Sequence, residues 1–102
     1  MNPKINLALQ ILPKSEGLKV YDIIDKAIEV IQKSGLPYIV CPFETVIEGT
    51  YEEVMTVVKQ AQDACFEFGA TEIIANIKIQ RVKEHDVYID DKIGKYKVSQ
   101  KS

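Results

Sequence analysis

Ile5, Leu7, Leu9 and Ile11 alternate with Asn6, Ala8, Gln10 and Leu12, the period-two pattern of a strand with one strongly buried face. Pro13 is expected to end it. From Lys19 the period changes, because Val20, Ile23, Ile24, Ala27, Ile28 and Ile31 follow the i, i+3, i+4 spacing of an amphipathic helix, which Ser34 and Gly35 close. Two short β-rich stretches follow, Tyr38 to Cys41 and Thr45 to Glu48, around a Pro42 that withholds a ladder hydrogen bond. They predict a tight or offset hairpin. Thr50 with Glu53 three residues on is the signature of a capping box, and Val54, Val57, Val58, Ala61, Cys65 and Phe68 form the buried stripe of a second helix that Gly69 stops. A long strand over 71–82 then puts Ile73, Ala75, Ile77 and Ile79 on one face.

The order β, α, β, β, α, β predicts an α+β, ferredoxin-like fold: a four-stranded antiparallel sheet with two helices on one face. At 102 residues the chain is expected to be one domain, with a core over about 1–83 and a C-terminal extension over 84–102. The extension mixes charges with isolated apolar residues. It is expected to run as an exposed loop and then a docked segment, Asp90 capping a helical turn that packs Ile93 while Lys101 and Ser102 fray. The second face of the sheet has no predicted helix over it, yet is expected to carry Ala8, Leu12, Val40, Ile47 and Ile74. Such a half-apolar face predicts a homo-oligomer.

Charge narrows the partners. A net charge of −2 supplies no field to gather nucleic acid. The strands offer Ala8, Gln10, Asn76 and Lys78 where RNA-binding relatives of this fold place stacking aromatics. No apolar run approaches the ~20 residues that span a bilayer, and no secretory signal pattern opens the chain. Cytoplasmic residence without nucleic-acid or membrane partners is expected. Cys41 and Cys65 lack a metal-binding spacing and read as reduced, buried thiols.

No catalytic constellation stands out. The single histidine, His85, sits between Glu84 and Asp86 in a charged stretch, and the five glycines are isolated, so neither a nucleophile–base pair nor a phosphate loop is indicated. What remains is a set of polar side chains on strands: Gln10, Thr45, Glu48, Asn76 and Lys78, expected to share one side of the sheet. Gln10, Asn76 and Lys78 each also read as an ordinary exposed or interface polar residue. Glu48 reads as a solvated carboxylate near the start of the second helix.

The stretch GLPYIVCPFETVIEGTYEEVMTVVKQAQDACFEFGA resembles the family of small thiamine-binding proteins, ferredoxin-like domains related to the YkoF-type binders of thiamine and hydroxymethylpyrimidine. The resemblance runs over nearly the whole chain. It takes in Gln10 and Pro13 of the first strand, the Gly35 stop, Thr45 and Glu48 ahead of Gly49, and the helix ending at Gly69; its fairly specific part is TVIEG. It implies a non-enzymatic, cofactor-free binder of thiamine or its aminopyrimidine, assembled as a dimer or tetramer. An amide such as Gln10 or Asn76 can match the pyrimidine edge, and Glu48 can accept from its amino group. Tyr38 or Phe43 can wall the cationic thiazolium. Phe43 reads equally as a plug at the hairpin corner, and Tyr38 as an interface aromatic. A rival of another class is a regulatory or assembly module that senses a different ligand or a partner protein; an enzyme ranks third.

Overall fold

The computed structural model describes residues 2–99, so the expected fraying of Lys101 and Ser102 lies outside the described residues. Its elements are β1 (Lys4–Lys14), α1 (Val20–Lys33), β2 (Tyr38–Val40), β3 (Thr45–Thr50), α2 (Tyr51–Phe68), β4 (Glu72–Gln80) and α3 (Ile89–Ser99). The four strands form one antiparallel sheet in the order β2-β3-β1-β4. This is the ferredoxin-like arrangement that the element order predicts.

The core lies between one sheet face and the two long helices. Ile5, Leu7, Leu9 and Ile11 from β1 meet Ile23, Ala27 and Ile31 from α1 and Val54, Val57, Val58, Ala61 and Cys65 from α2. Thr50 closes α2 from its N-terminal side as expected: its Oγ1 accepts from the Glu53 N–H at 3.3 Å while its own N–H donates to Glu53 Oε1 at 2.9 Å. At the other end the Gly69 N–H donates to Phe66 O and the Ala70 N–H to Cys65 O, a Schellman closure with Gly69 at φ 134°.

Three local expectations are corrected. Pro13 does not end β1, which continues to Lys14. The pairing of β1 with β3 stops at Leu9↔Thr45, so at Pro13 the strand has a neighbour only in β4, and the missing N–H costs no ladder bond. Val40 and Ile47 lie on the helix side, not the outer face: Ile47 pairs with Leu7 and is fully buried, and Val40 pairs with Thr45. The third correction concerns the outer face itself. It is partly covered, because the chain after β4 turns back, the Val87 N–H donates to Lys4 O at 2.9 Å, and α3 begins over that face.

Candidate functional site

Strand register builds the floor of the site. Across the outer face, one row runs Ile39, Val46, Ala8, Lys78 from β2 to β4, and the next contains Glu48, Asn6 and Gln80. Ala8 is the smallest side chain of its row, so the floor dips there, and α3 stands over the dip. The result is a cavity of about 300 Å3 whose floor includes Asn6, Ala8, Ile39, Val46 and Lys78 and whose roof is Ile89, Lys92 and Ile93. An adjoining, wider cavity of about 700 Å3 shares Ile39 and Ile89 and is bounded by Tyr38, Glu48, Tyr88, Asp90 and Asp91. The first is mostly apolar; the second is acidic.

Two buried polar residues hold the roof to the floor. Glu48, 7 % exposed, accepts the Ile89 N–H at 2.6 Å and so caps α3 from the sheet, a charge-assisted bond at the positive end of the helix dipole. Asn6, 4 % exposed, donates through Nδ2 to Val87 O at 3.0 Å. Its Oδ1 is buried with no partner among the described residues. Beside them, Asp86 accepts from the Lys4 N–H at 2.7 Å and from the Tyr88 hydroxyl at 2.8 Å. The Lys4 bond, and then the Tyr88 bond, hold the Asp86 carboxyl below its usual range, while the same Asp86 contact raises the Tyr88 phenol.

The polar residues singled out from the sequence divide between the two faces. Gln10, Glu48, Asn76 and Lys78 lie on the outer face. Gln10 Oε1 accepts from Asn76 Nδ2 at 3.1 Å, and Lys78 forms an exposed ion pair with Glu44 at 3.3 Å. Thr45 does not join them: it pairs with Leu9, is buried, and faces the helices. Tyr38, opposite Ile47, starts on the helix side of edge strand β2. Phe43 plugs nothing, since its ring is 82 % exposed at the tip of the hairpin that the Cys41 N–H closes to Glu44 O. Glu48 is not the solvated carboxylate of α2; it serves α3. Asp90 lies inside the first turn of α3 and is not its cap, whereas Ile93 does pack toward the sheet.

Sequence reasoning missed Asn6, Glu44 and the roof of the cavity. Asn6 did carry a signal: an amide in the row next to Ala8 on a strand whose other outward positions are Ala8, Gln10 and Leu12. Cys41, expected to be buried, is only half-buried and borders the smaller cavity, whereas Cys65 is buried in the core, where desolvation raises its thiol. Among the described residues, no group of three or more His, Cys, Asp or Glu side chains is placed to hold a metal ion. Nor is any helix long and apolar enough to cross a membrane.

Fold and cavity together define a ferredoxin-like domain with a pocket of small-molecule size between the open sheet face and a third helix. Residues 7–97 match the thiamine-binding protein family, and the chain belongs to that family. A UPF0045 protein of Clostridium perfringens is 40 % identical over 92 residues, which cover 90 % of this chain and 96 % of that one. Among solved structures, a Bacillus cereus domain of unknown function, DUF77, superposes with a TM-score of 0.89 at 40 % identity over 93 % of this chain and 91 % of that one. A Thermotoga maritima protein described provisionally as a thiamine biosynthesis/salvage protein superposes with a TM-score of 0.81 at 32 % identity, covering 92 % and 99 %.

Proposed function

We propose that the chain binds thiamine or its aminopyrimidine moiety, without chemical conversion, between the outer sheet face and α3, as a homo-oligomer in the cytoplasm. The observation that carries the reading is Asn6: a buried acceptor with no partner among the described residues, beside an apolar cavity of about 300 Å3. Leaving a buried acceptor unpaired costs about 1–3 kcal/mol, which an incoming N–H donor recovers. The amino group of the pyrimidine is such a donor, and its flat ring suits a slot between Ala8 and Val46 below and Ile89 and Ile93 above. In the adjoining cavity Glu48, Asp90 and Asp91 with Tyr88 suit a thiazolium cation, while Tyr38 contributes to the rim from the other side of edge strand β2. Family membership and the Thermotoga relative support the same ligand class.

In this reading Glu48 contributes charge and Asn6 the acceptor. Lys78 edges the slot, and Gln10 and Asn76 lie one row beyond it. Thr45 and Phe43 belong to the opposite face and the hairpin tip and are left outside the site.

Isothermal titration with thiamine and with hydroxymethylpyrimidine tests this, using Glu48→Gln and Ala8→Leu as controls. A glutamine oxygen still accepts the Ile89 N–H, so α3 stays docked while the charge goes. The leucine fills the floor on the face away from the core. Saturable binding in the native chain is expected, with Glu48→Gln losing about tenfold or more for thiamine and Ala8→Leu losing both ligands. No heat with either ligand, or undiminished affinity in both variants, contradicts the proposal.

A further inference from the structure

The two cavities differ in charge as well as in width. Among the residues that bound the larger one, of about 700 Å3, Glu48, Asp90 and Asp91 carry carboxylates and none is a lysine or arginine. Glu48 is 7 % exposed, so water screens it less than the exposed Asp90 and Asp91. The Tyr88 phenol, on the same wall, registers their field. Its bond to Asp86 and that carboxylate's charge raise it first, then desolvation, and Glu48 and Asp91 add in the same direction. Two features oppose the carboxylates. The Lys4 ammonium stands 5.7 Å from the centroid of the Tyr88 ring, and the N-terminus of α3 is a positive helix end, although Glu48 already takes its Ile89 N–H.

In the orientation proposed above, the methylene that joins the two rings of thiamine leaves the slot toward this cavity, and the thiazolium with its hydroxyethyl arm lies inside it. A phosphate carried by the ligand therefore comes to the carboxylates. On thiamine it extends from the hydroxyethyl arm; on hydroxymethylpyrimidine it sits on that same methylene. A phosphate monoester carries about −1.5 to −2 charges at neutral pH, which turns the cationic end of thiamine into an anionic one, and the attraction that favours the free vitamin becomes repulsion. Size does not exclude the ester, because sites of about 300–1,000 Å3 hold drug-sized ligands and this cavity lies within that range. Charge is left to discriminate.

We infer that the site selects the unphosphorylated vitamin or pyrimidine against the phosphate esters of either, with Glu48, Asp90 and Asp91 setting the choice. The inference rests on the pyrimidine-binding reading above, and it adds that the domain responds to the free vitamin and not to its phosphorylated forms.

Titration of the full chain at low ionic strength tests it, with thiamine, thiamine monophosphate, O-acetylthiamine, hydroxymethylpyrimidine and its phosphate ester, in the native chain and in Asp91→Asn. The acetyl ester lengthens the same arm without adding charge. Thiamine and its acetyl ester are expected to bind alike, and each phosphate ester about tenfold or more weaker than its parent alcohol. That gap is expected to narrow at high ionic strength and in Asp91→Asn, where thiamine weakens while its monophosphate gains. Asp91 is exposed, and opposite changes for two ligands in one variant cannot come from misfolding. Phosphate esters that bind as tightly as their alcohols, or a gap untouched by salt or by Asp91→Asn, overturn the inference and leave the pyrimidine reading standing. An acetyl ester as weak as the monophosphate overturns it too, since length and not charge would then set the limit. If none of these ligands binds, the functional reading itself fails, and this inference with it.

Discussion

Glu48 has two tasks at the scale of single residues. Its Oε1 closes the first N–H of α3 at 2.6 Å, and its carboxylate borders the acidic cavity. A carboxylate 7 % exposed is costly unless it is hydrogen-bonded, and the helix terminus supplies the bond. Gly69 bears on stability alone. It closes α2 at φ 134°, a backbone conformation that disfavours a side chain, and a Cβ there would stand 2.6 Å from Leu18 Cδ1, so that exposed leucine would have to shift. Gly69→Ala is expected to lose about 1–2 kcal/mol, measured as a lower urea midpoint with unchanged slope. An unchanged midpoint would show that α2 is closed by other contacts. Which residues share a face was only partly legible from the sequence. Thr45 and Glu48 stand three apart on one strand, so a period of two sends them to opposite sides. Asn6 was legible as a polar residue of β1, but its burial depends on Val87, 81 residues away, which no local pattern encodes.

At the scale of elements, β1, α1, α2, β4 and the short hairpin follow from periodicity and caps, because each turns apolar residues toward the same core, although β4 contributes only the partly buried Ile73 and Ala75 and leaves Ile77 and Ile79 exposed. The capping box at Thr50 and the stop at Gly69 form as their residues indicate. Helix α3 was legible only as a docked turn. Its apolar positions are few, and it is held by contacts from Glu48, Asn6 and Lys4 that belong to other elements. That attachment is expected to respond to pH. Asp86 is held below its usual carboxyl range by the Lys4 N–H and then the Tyr88 hydroxyl. Its contribution is therefore present above the ordinary Asp value near pH 4 and is lost as pH falls through the lowered folded value. Tyr88 has the opposite sign: its phenol is raised, so its contribution is full below the ordinary tyrosine range near pH 10 and is lost as pH rises through the raised value. Amide exchange at Val87 and Ile89 measured at pH 6 and pH 3 is expected to show protection falling more in the native chain than in Asp86→Asn, which has already lost the carboxylate. An equal fall in both would detach α3 docking from Asp86.

At the scale of the whole molecule, α3 covers one end of the outer face and leaves the other open. Leu12 and Ile74 are paired neighbours there, 44 % and 48 % exposed, next to the Gln10–Asn76 hydrogen bond. Ile77 and Ile79 are exposed as well, on edge strand β4. These surfaces support self-association. Light scattering coupled to gel filtration is expected to give a dimer or tetramer at micromolar concentration, shifted toward smaller species by Leu12→Lys; a native monomer would contradict it. The proposed ligand slot is built by β1, β2, β3, β4 and α3 of a single chain, so it does not need the partner for its walls.

The central claim is the position of the ligand, and the measurement that tests it most directly is a crystal structure of the chain grown with hydroxymethylpyrimidine. The pyrimidine ring is expected between Ala8 and Val46 on one side and Ile89 and Ile93 on the other, with its amino group within hydrogen-bond distance of Asn6 Oδ1. A ring bound on the helix side, against Phe43 and Thr45, with the slot under α3 unchanged, would contradict the account.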